Sequence, residues 1–200
     1  MADVDPVARE VDCRIVYAGA EGAGKTTNLE YLHQALDPED RGKLISPSPA
    51  SGRSFFFDFL AVDLGSLGGW RIRLHLYTTP DGQERSDDRV RILRGADGVV
   101  LVVDSGADRL EENRRALERL QADLAEAGRD RAGLALAVQY NKRDLEGAAP
   151  VKELQEALNV DGVPQFEAVA RRGDGVVDTL EEVGYRVVRS LELGEGEAAG

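Results

Sequence analysis

Residues 19–27, GAEGAGKTT, constrain the fold of this chain more than any other stretch. They follow an apolar run with β-branched residues, CRIVYAG (13–19), which predicts a buried strand, and they lead into a helical pattern over 26–36. Glycines let the backbone of such a loop turn tightly, so that its N–H groups converge at the start of the helix. A strand, a glycine-rich loop and a helix in this order predict an α/β fold with helices packed on a sheet.

The loop satisfies the pattern G-x-x-x-x-G-K-[ST] through Gly19, Gly24, Lys25 and Thr26. Its backbone N–H groups are predicted to bind phosphate oxygens, and Lys25 is predicted to reach the β- and γ-phosphates. The hydroxyl of Thr26 is the expected ligand of Mg²⁺. The predicted nucleotide-binding residues of the loop are Gly19, Glu21, Gly22, Ala23, Gly24, Lys25, Thr26 and Thr27.

The rest of the chain alternates strands and helices. Continuous apolar runs predict central parallel strands at 97–105 and 133–141, two runs around a glycine-rich turn predict an antiparallel hairpin, and 164–170 is a sixth strand candidate. We therefore predict a three-layer α/β fold, with a six-stranded, mostly parallel sheet and about five helices. The loops after residues 19, 78, 104, 141 and 170 are expected to meet at the carboxyl ends of the strands.

Composition limits the classes of partner. The 25 basic and 37 acidic residues give a formal net charge of −12, which argues against binding to nucleic acid or to an anionic membrane. No stretch approaches the length of a membrane span, and the acidic start lacks the apolar core of a signal peptide, so we expect a cytoplasmic protein without membrane insertion. Residues 1–193 are predicted to form one domain, followed by a flexible acidic tail, 194–200.

A second motif, NKRD (141–144), follows the strand predicted at 133–140. Asp144 is expected to accept hydrogen bonds from N1–H and the 2-amino group of guanine, which adenine does not offer. Asn141 is expected to hold the loop and contact the base edge, and Lys142 to lay its stem over the ring. A backbone N–H near Ala170 is a third expected contact. Together the two motifs favour binding of GTP and GDP over ATP. They therefore argue against an ATPase or a kinase.

These segments resemble the small Ras-like GTPases, and specifically the bacterial MglA family of gliding-motility and cell-polarity GTPases. The resemblance runs from about residue 9 to 190, and its most specific parts are FFFDFL, LHLYT and QYNKRDL. Most Ras-like GTPases carry D-x-x-G after the third strand, whereas this strand ends in LYTTPDGQ, with Thr78 and Thr79, as MglA proteins do. The resemblance implies a switch that hydrolyses GTP with Mg²⁺ and serves cell polarity or surface motility.

Further roles come from the resemblance alone. It implies that Arg53 in the first switch is an arginine finger supplied by the same chain, and that Ser54 stands where a threonine normally meets Mg²⁺ and the γ-phosphate. It also implies an MglB-like roadblock/longin GTPase-activating partner, and effectors that bind the switch face. A planar guanidinium suits the charge that develops on a transferred phosphoryl group.

The second switch has two possible registers. The ungapped family register puts Asp81 and Gly82 where Gly-Gln is expected, and a one-residue shift restores Gly82 and Gln83. We favour Gln83 as the residue that orients the attacking water. If this shift is real, it must be absorbed before the helix expected at 87–94.

Glu21 departs from the family, which normally has glycine at the third position of the loop. If its side chain points to solvent, screening keeps the repulsion between its charge and the phosphates small. If it faces the terminal phosphate at about 6 Å, the repulsion is about one to a few kcal/mol. Our hypothesis is that Glu21 leaves nucleotide binding intact but slows hydrolysis or favours GDP. The alternative function is a GTP- or GDP-binding scaffold with weak or no hydrolysis.

Overall fold

The computed structural model describes residues 2–47, 57–82, 85–130, 133–160 and 162–191. Seven strands in these ranges form one sheet in the order β3-β4-β2-β5-β6-β7, with β1 also paired to β2. The pairs β1–β2 and β3–β4 are antiparallel and the others are parallel. The strands are β1 (Asp3–Asp5), β2 (Glu10–Gly19), β3 (Phe59–Leu67), β4 (Trp70–Thr78), β5 (Gly98–Asp104), β6 (Ala135–Asn141) and β7 (Gln165–Glu167).

Helices cover both faces of the sheet. The five α-helices of the described ranges are α1 (Lys25–Ala35), α2 (Ser86–Arg94), α3 (Leu110–Glu126), α4 (Val151–Leu158) and α5 (Val176–Ser190). Side chains alternate between the two faces of β2, so that Ile15 and Tyr17 pack in the core cluster that includes α1 and α5. Val16 and Ala18 pack in the second cluster, with residues of α2, α3 and α4. The three-layer α/β prediction is therefore confirmed.

The prediction of six strands was wrong by one. The acidic segment Asp3–Asp5 forms an additional strand, which pairs antiparallel with Glu10–Asp12, the first three residues of β2. The strand β5 pairs with the second half, from Ile15 to Gly19. All three residues of β1 are exposed, so this strand leaves no apolar pattern in the sequence.

The carboxyl ends of the parallel strands meet as predicted. The Thr79 N–H donates to the Tyr17 carbonyl at 2.9 Å, and the Ser105 N–H donates to the Asn141 carbonyl at 3.0 Å. The first bond joins the ends of β4 and β2, the second joins those of β5 and β6, and β2 itself pairs with β5 up to Gly19 and Val102. The loops carrying both motifs therefore share one edge of the sheet. None of the helices in the described ranges is long and apolar enough to cross a membrane.

Candidate nucleotide-binding site

The glycine-rich loop passes closely between the strands and helix α1. A Cβ at Gly19 would collide with the carbonyl oxygen of Val102 on the neighbouring strand β5. Gly24 has φ of +105°, and a Cβ there would collide with the side-chain amide of Asn141. At Gly22 (φ +73°) a Cβ would meet no atom within 4 Å, so the middle of the loop borders open space. This cradle is bounded by the backbone of Val102 and the side-chain amide of Asn141, and its own backbone N–H groups suit phosphate oxygens.

The first turn of α1 opens toward this cradle. Gly24 is the N-cap residue in a left-handed conformation, and it makes no side-chain capping hydrogen bond. The first turn contains no acidic residue, whereas the first turns of α2 and α3 contain two each. Because no side-chain oxygen caps the first N–H groups of α1 and the helix dipole favours an anion there, this helix start fits a phosphate group.

Lys25 lies at the base of the cradle, and its side chain is only 6% exposed. Its Nζ donates to the Ala20 carbonyl at 3.0 Å and to the Gly19 carbonyl at 3.3 Å. It also donates to Oδ1 of Asp81 in the second switch, at 2.7 Å. The ammonium is therefore fixed by the loop itself, with a carboxylate as its third partner, in the position where the motif requires a phosphate contact.

A buried carboxylate joins Thr26 to the end of β4. Oδ2 of Asp58 accepts hydrogen bonds from the Thr26 hydroxyl at 2.6 Å and from the Thr78 hydroxyl at 2.9 Å. The Asp58 N–H in turn donates to Thr78 Oγ1 at 2.8 Å. Asp58, which is 5% exposed, thus brings an acidic oxygen to the predicted magnesium ligand Thr26 and to Thr78, at the strand end where most Ras-like GTPases have D-x-x-G. Hydroxyl and carboxylate oxygens are the donors that Mg²⁺ prefers, so the residues fit this ion.

Asp58 was not among the predicted site residues. The available signal was a lone acid inside the aromatic run FFFDFL (55–60), where burial of an unpaired carboxylate is costly. Its partners are 32 and 20 residues away along the chain, so the pattern alone did not reveal them.

Asn141 joins the phosphate loop to the base end of the site. Its Nδ2 donates to the Ala23 carbonyl and its Oδ1 accepts from the Ala170 N–H, both at 2.8 Å. The side chain is 2% exposed. Asn141 thus links the phosphate loop to the loop at Ala170 through two hydrogen bonds. The Ala170 N–H, which was expected to contact the base, donates to the Asn141 side chain in the structure.

Two other residues of the NKRD motif, Lys142 and Asp144, form ion pairs near Asn141. Lys142 has φ of +64° and donates to Oδ2 of Asp104 at 2.7 Å. The side chain of Asp144 is 11% exposed and forms an ion pair with Arg171. A cavity of about 220 Å³ is lined by both motifs, including Gly22, Gly24, Thr27, Asn141, Lys142, Asp144 and Ala170. The two motifs therefore face one cavity.

Glu21 lies on the rim of the phosphate loop and is exposed. The guanidinium of Arg109, which precedes α3, donates to the Glu21 carbonyl at 3.0 Å. The same guanidinium lies 3.6 Å from Asp104 and 3.5 Å from Glu112. A cation thus contacts the backbone at the position where the family has glycine. This contact involves only the backbone oxygen of Glu21, so it leaves the orientation of the exposed side chain open.

The switch residues are only partly described. Gly82 has φ of +92°, and its carbonyl accepts a hydrogen bond from Arg89. The predicted arginine finger Arg53, the predicted metal ligand Ser54 and the favoured water-orienting residue Gln83 lie outside the described residues. Their roles stay predictions.

The three-layer fold and the cavity shared by a phosphate loop and an N-K-x-D loop define a small Ras-like P-loop GTPase. No family model matches the chain. It is 44% identical over 194 residues to mutual gliding-motility protein MglA of Myxococcus xanthus (strain DK1622), covering 97% of this chain and 100% of that protein. It is 26% identical over 175 residues to tRNA modification GTPase MnmE of Syntrophus aciditrophicus (strain SB), covering 84% of this chain and 33% of that protein. The chain belongs to the MglA family of small GTPases.

Proposed function

We propose that this chain hydrolyses GTP to GDP with Mg²⁺ and acts as a switch in bacterial cell polarity or surface motility. The observation that carries the proposal is the Asn141 side chain, which bonds to Ala23 in the phosphate loop and to Ala170 in the base loop. One buried amide thereby fixes the distance between the two ends of a nucleotide site. The process is inferred from the name of the relative in Myxococcus xanthus, a mutual gliding-motility protein.

Each end of the site has its own task. Lys25 and the N–H groups at the start of α1 bind the phosphates, and the buried ammonium provides positive charge where negative charge develops. Asp144 selects guanine, because a buried carboxylate facing adenine loses its hydrogen-bond donors. In this proposal the base replaces Arg171, which donates one hydrogen bond to Asp144 in the structure.

Thr26, Asp58 and Ser54 are the proposed magnesium residues. When bound, Mg²⁺ neutralises charge on the phosphates during transfer. Asp58 accepts the hydrogen bond from Thr26, so it orients that hydroxyl and adds negative charge near it. Asp58 thus supplies acidic support that the threonines at 78 and 79 do not provide.

Arg53 and Gln83 complete the proposal. Arg53 stabilises the developing charge on the transferred phosphoryl group, and Gln83 orients the attacking water. An MglB-like roadblock/longin dimer is the proposed activating partner and binds the switch face, where effectors bind as well. Ordering of both switches by GTP, and their release after hydrolysis, is the proposed signal.

The test begins with the nucleotide that the purified protein retains. Denaturation followed by chromatography identifies it, and calorimetry with Mg²⁺ then compares GTP, GDP and ATP. We expect GTP and GDP to bind and ATP to fail, and we expect phosphate release in single-turnover assays with GTP. Equal competition by ATP, or no binding of either guanine nucleotide, would contradict the proposal.

The variant Asp144→Asn sharpens this test. Its amide can donate to the C2 carbonyl of xanthine, so affinity is expected to shift from GTP toward XTP. Asp178→Asn, an exposed change of the same chemistry in the first turn of α5, serves as the matched control and is expected to keep the preference for GTP.

A further inference from the structure

A buried arginine connects the second switch to two helices. Arg89 on α2 is 6% exposed, and its Nε donates to Oδ2 of Asp123 on α3 at 2.6 Å. Its Nη1 donates to the carbonyl of Gly82 in the second switch, also at 2.6 Å. Asp123 is 5% exposed, so both charged groups of the pair are out of water.

The pair with Asp123 explains why a charge is tolerated at this place. A buried guanidinium without a partner carries a large desolvation cost, which a close carboxylate offsets. Such a pair is weak support for stability, however, because apolar residues of similar volume often serve as well. Stability alone therefore gives little reason to have Arg89 here.

The bond to Gly82 supplies a different reason. The guanidinium is planar and rigid, so fixing one nitrogen on Asp123 also fixes the direction of the nitrogen that reaches Gly82. Gly82 has φ of +92°, in the left-handed region, so its peptide could take other conformations without this bond. The carbonyl of Gly82 belongs to the peptide bond that leads into Gln83 in the sequence.

We propose that Arg89 is a positioning residue for GTP hydrolysis, which it supports by holding the Gly82 peptide against α2 and α3. This inference rests on the proposed hydrolysis of GTP. Arg89 contacts neither the phosphate loop nor the base loop through the bonds described, so it acts on the reaction through Gly82. Loss of this bond slows the chemical step and leaves nucleotide affinity in place.

The decisive variant is the double change Arg89→Met and Asp123→Leu. It replaces the buried pair with apolar side chains of similar volume, which keeps the packing but removes the donor to Gly82. We expect Tm to stay within a few degrees of the wild type and the GDP dissociation constant to stay within about twofold. The single-turnover rate of GTP hydrolysis is expected to fall about 10- to 100-fold, the range for misplaced reacting groups.

Arg89→Lys is the second variant, in case the double change does not fold. An ammonium keeps the charge beside Asp123 but lacks the fork that also reaches Gly82. The same separation is expected, with slower hydrolysis and unchanged GDP affinity. The matched control removes the exposed pair Arg115–Glu111 on α3 by Arg115→Met and Glu111→Leu, and it is expected to keep the wild-type rate.

The outcomes separate this inference from the function on which it rests. If the wild type does not bind or hydrolyse GTP, the proposed function fails. If the wild type hydrolyses GTP and a folded double variant, or Arg89→Lys, does so at the same rate, Arg89 is only structural and the inference is overturned. An equal loss of rate in the Arg115 control would also overturn it.

Discussion

The ion pair between Lys25 and Asp81 provides a direct test of how the phosphate cradle works. Asp81→Asn removes the negative charge and keeps the shape of the side chain. The Asp81 carboxylate and a phosphate compete for the Lys25 ammonium. Nucleotide binding must therefore displace or weaken the contact of 2.7 Å between Lys25 Nζ and Asp81 Oδ1. We therefore expect the variant to bind GDP more tightly than the wild type.

The exposure of the two groups sets the size of the effect. The side chain of Lys25 is 6% exposed and that of Asp81 is 43% exposed, so solvent screens one half of the pair. Exposed ion pairs contribute about 0.2–1 kcal/mol, and hydrogen bonds to charged groups about 1.5–3 kcal/mol. A value of about 1 kcal/mol for this half-exposed pair corresponds to a roughly fivefold gain in affinity.

Titration calorimetry with GDP at fixed Mg²⁺ and low salt measures this gain. Asp87→Asn, at an exposed position in the first turn of α2, removes the same charge nearby and is expected to leave the affinity for GDP nearly unchanged. Added salt should reduce the difference in GDP affinity between the two variants, because it screens the Lys25–Asp81 ion pair of the protein that keeps Asp81. The reasoning is refuted if Asp81→Asn binds GDP no more tightly than Asp87→Asn does.

Three further predictions concern other parts of the fold. Glu21→Gly is expected to speed hydrolysis in a single-turnover phosphate-release assay, because it removes a carboxylate whose repulsion of the terminal phosphate is about one to a few kcal/mol if it faces inward. Asp58→Asn is expected to raise the Mg²⁺ concentration for half-maximal GDP binding by about tenfold or more, since support of a metal ligand is lost. Burial, with the nearby charges of Asp97 and Asp12, raises the pKa of Cys13 to about 12. The thiol therefore stays protonated at about pH 8, and mass spectrometry should detect its alkylation only after unfolding.

Each of these predictions has a contrary result. Unchanged or slower hydrolysis in Glu21→Gly contradicts the hypothesis that the acid slows the reaction, and Glu30→Gln, an exposed change on α1, controls for loss of charge. The same magnesium dependence in Asp58→Asn and the wild type would remove Asp58 from the metal site. Rapid alkylation of the native protein would contradict the buried position of Cys13.

Local patterns predicted most of the fold. The strands β5 and β6 are continuous apolar runs because helices cover both of their faces, and this leaves a clear signal within seven residues. The phosphate loop is equally local as a motif, since its residues stand within one short stretch of the chain. The atoms that exclude a Cβ at Gly19 and Gly24 belong to Val102 and Asn141, which are distant in the sequence. Strand β1 left no such signal, because it is held by backbone pairing to β2 and all its side chains are exposed.

Prediction of the site was uneven for the same reason. Gly24, Lys25 and Asn141 were predicted from short motifs. Gly24 and Asn141 line one cavity, and Lys25 donates to the loop carbonyls of Gly19 and Ala20. Asp58 was missed because its role comes from hydroxyls on other elements. The lysine contact of Asp81 was missed as well, since it spans 56 residues.

By itself, the sequence determined that a glycine-rich loop opens helix α1 and that an N-K-x-D motif ends a later strand. These features depend on residues that are neighbours in the chain, so steric and hydrogen-bonding rules for short segments reveal them. Tertiary structure alone decided three contacts. Asp58 accepts a hydrogen bond from Thr26, and Asp81 forms an ion pair with Lys25. Arg89 donates to both Gly82 and Asp123. Those contacts connect different elements, and which polar groups become buried together depends on how the helices and strands pack.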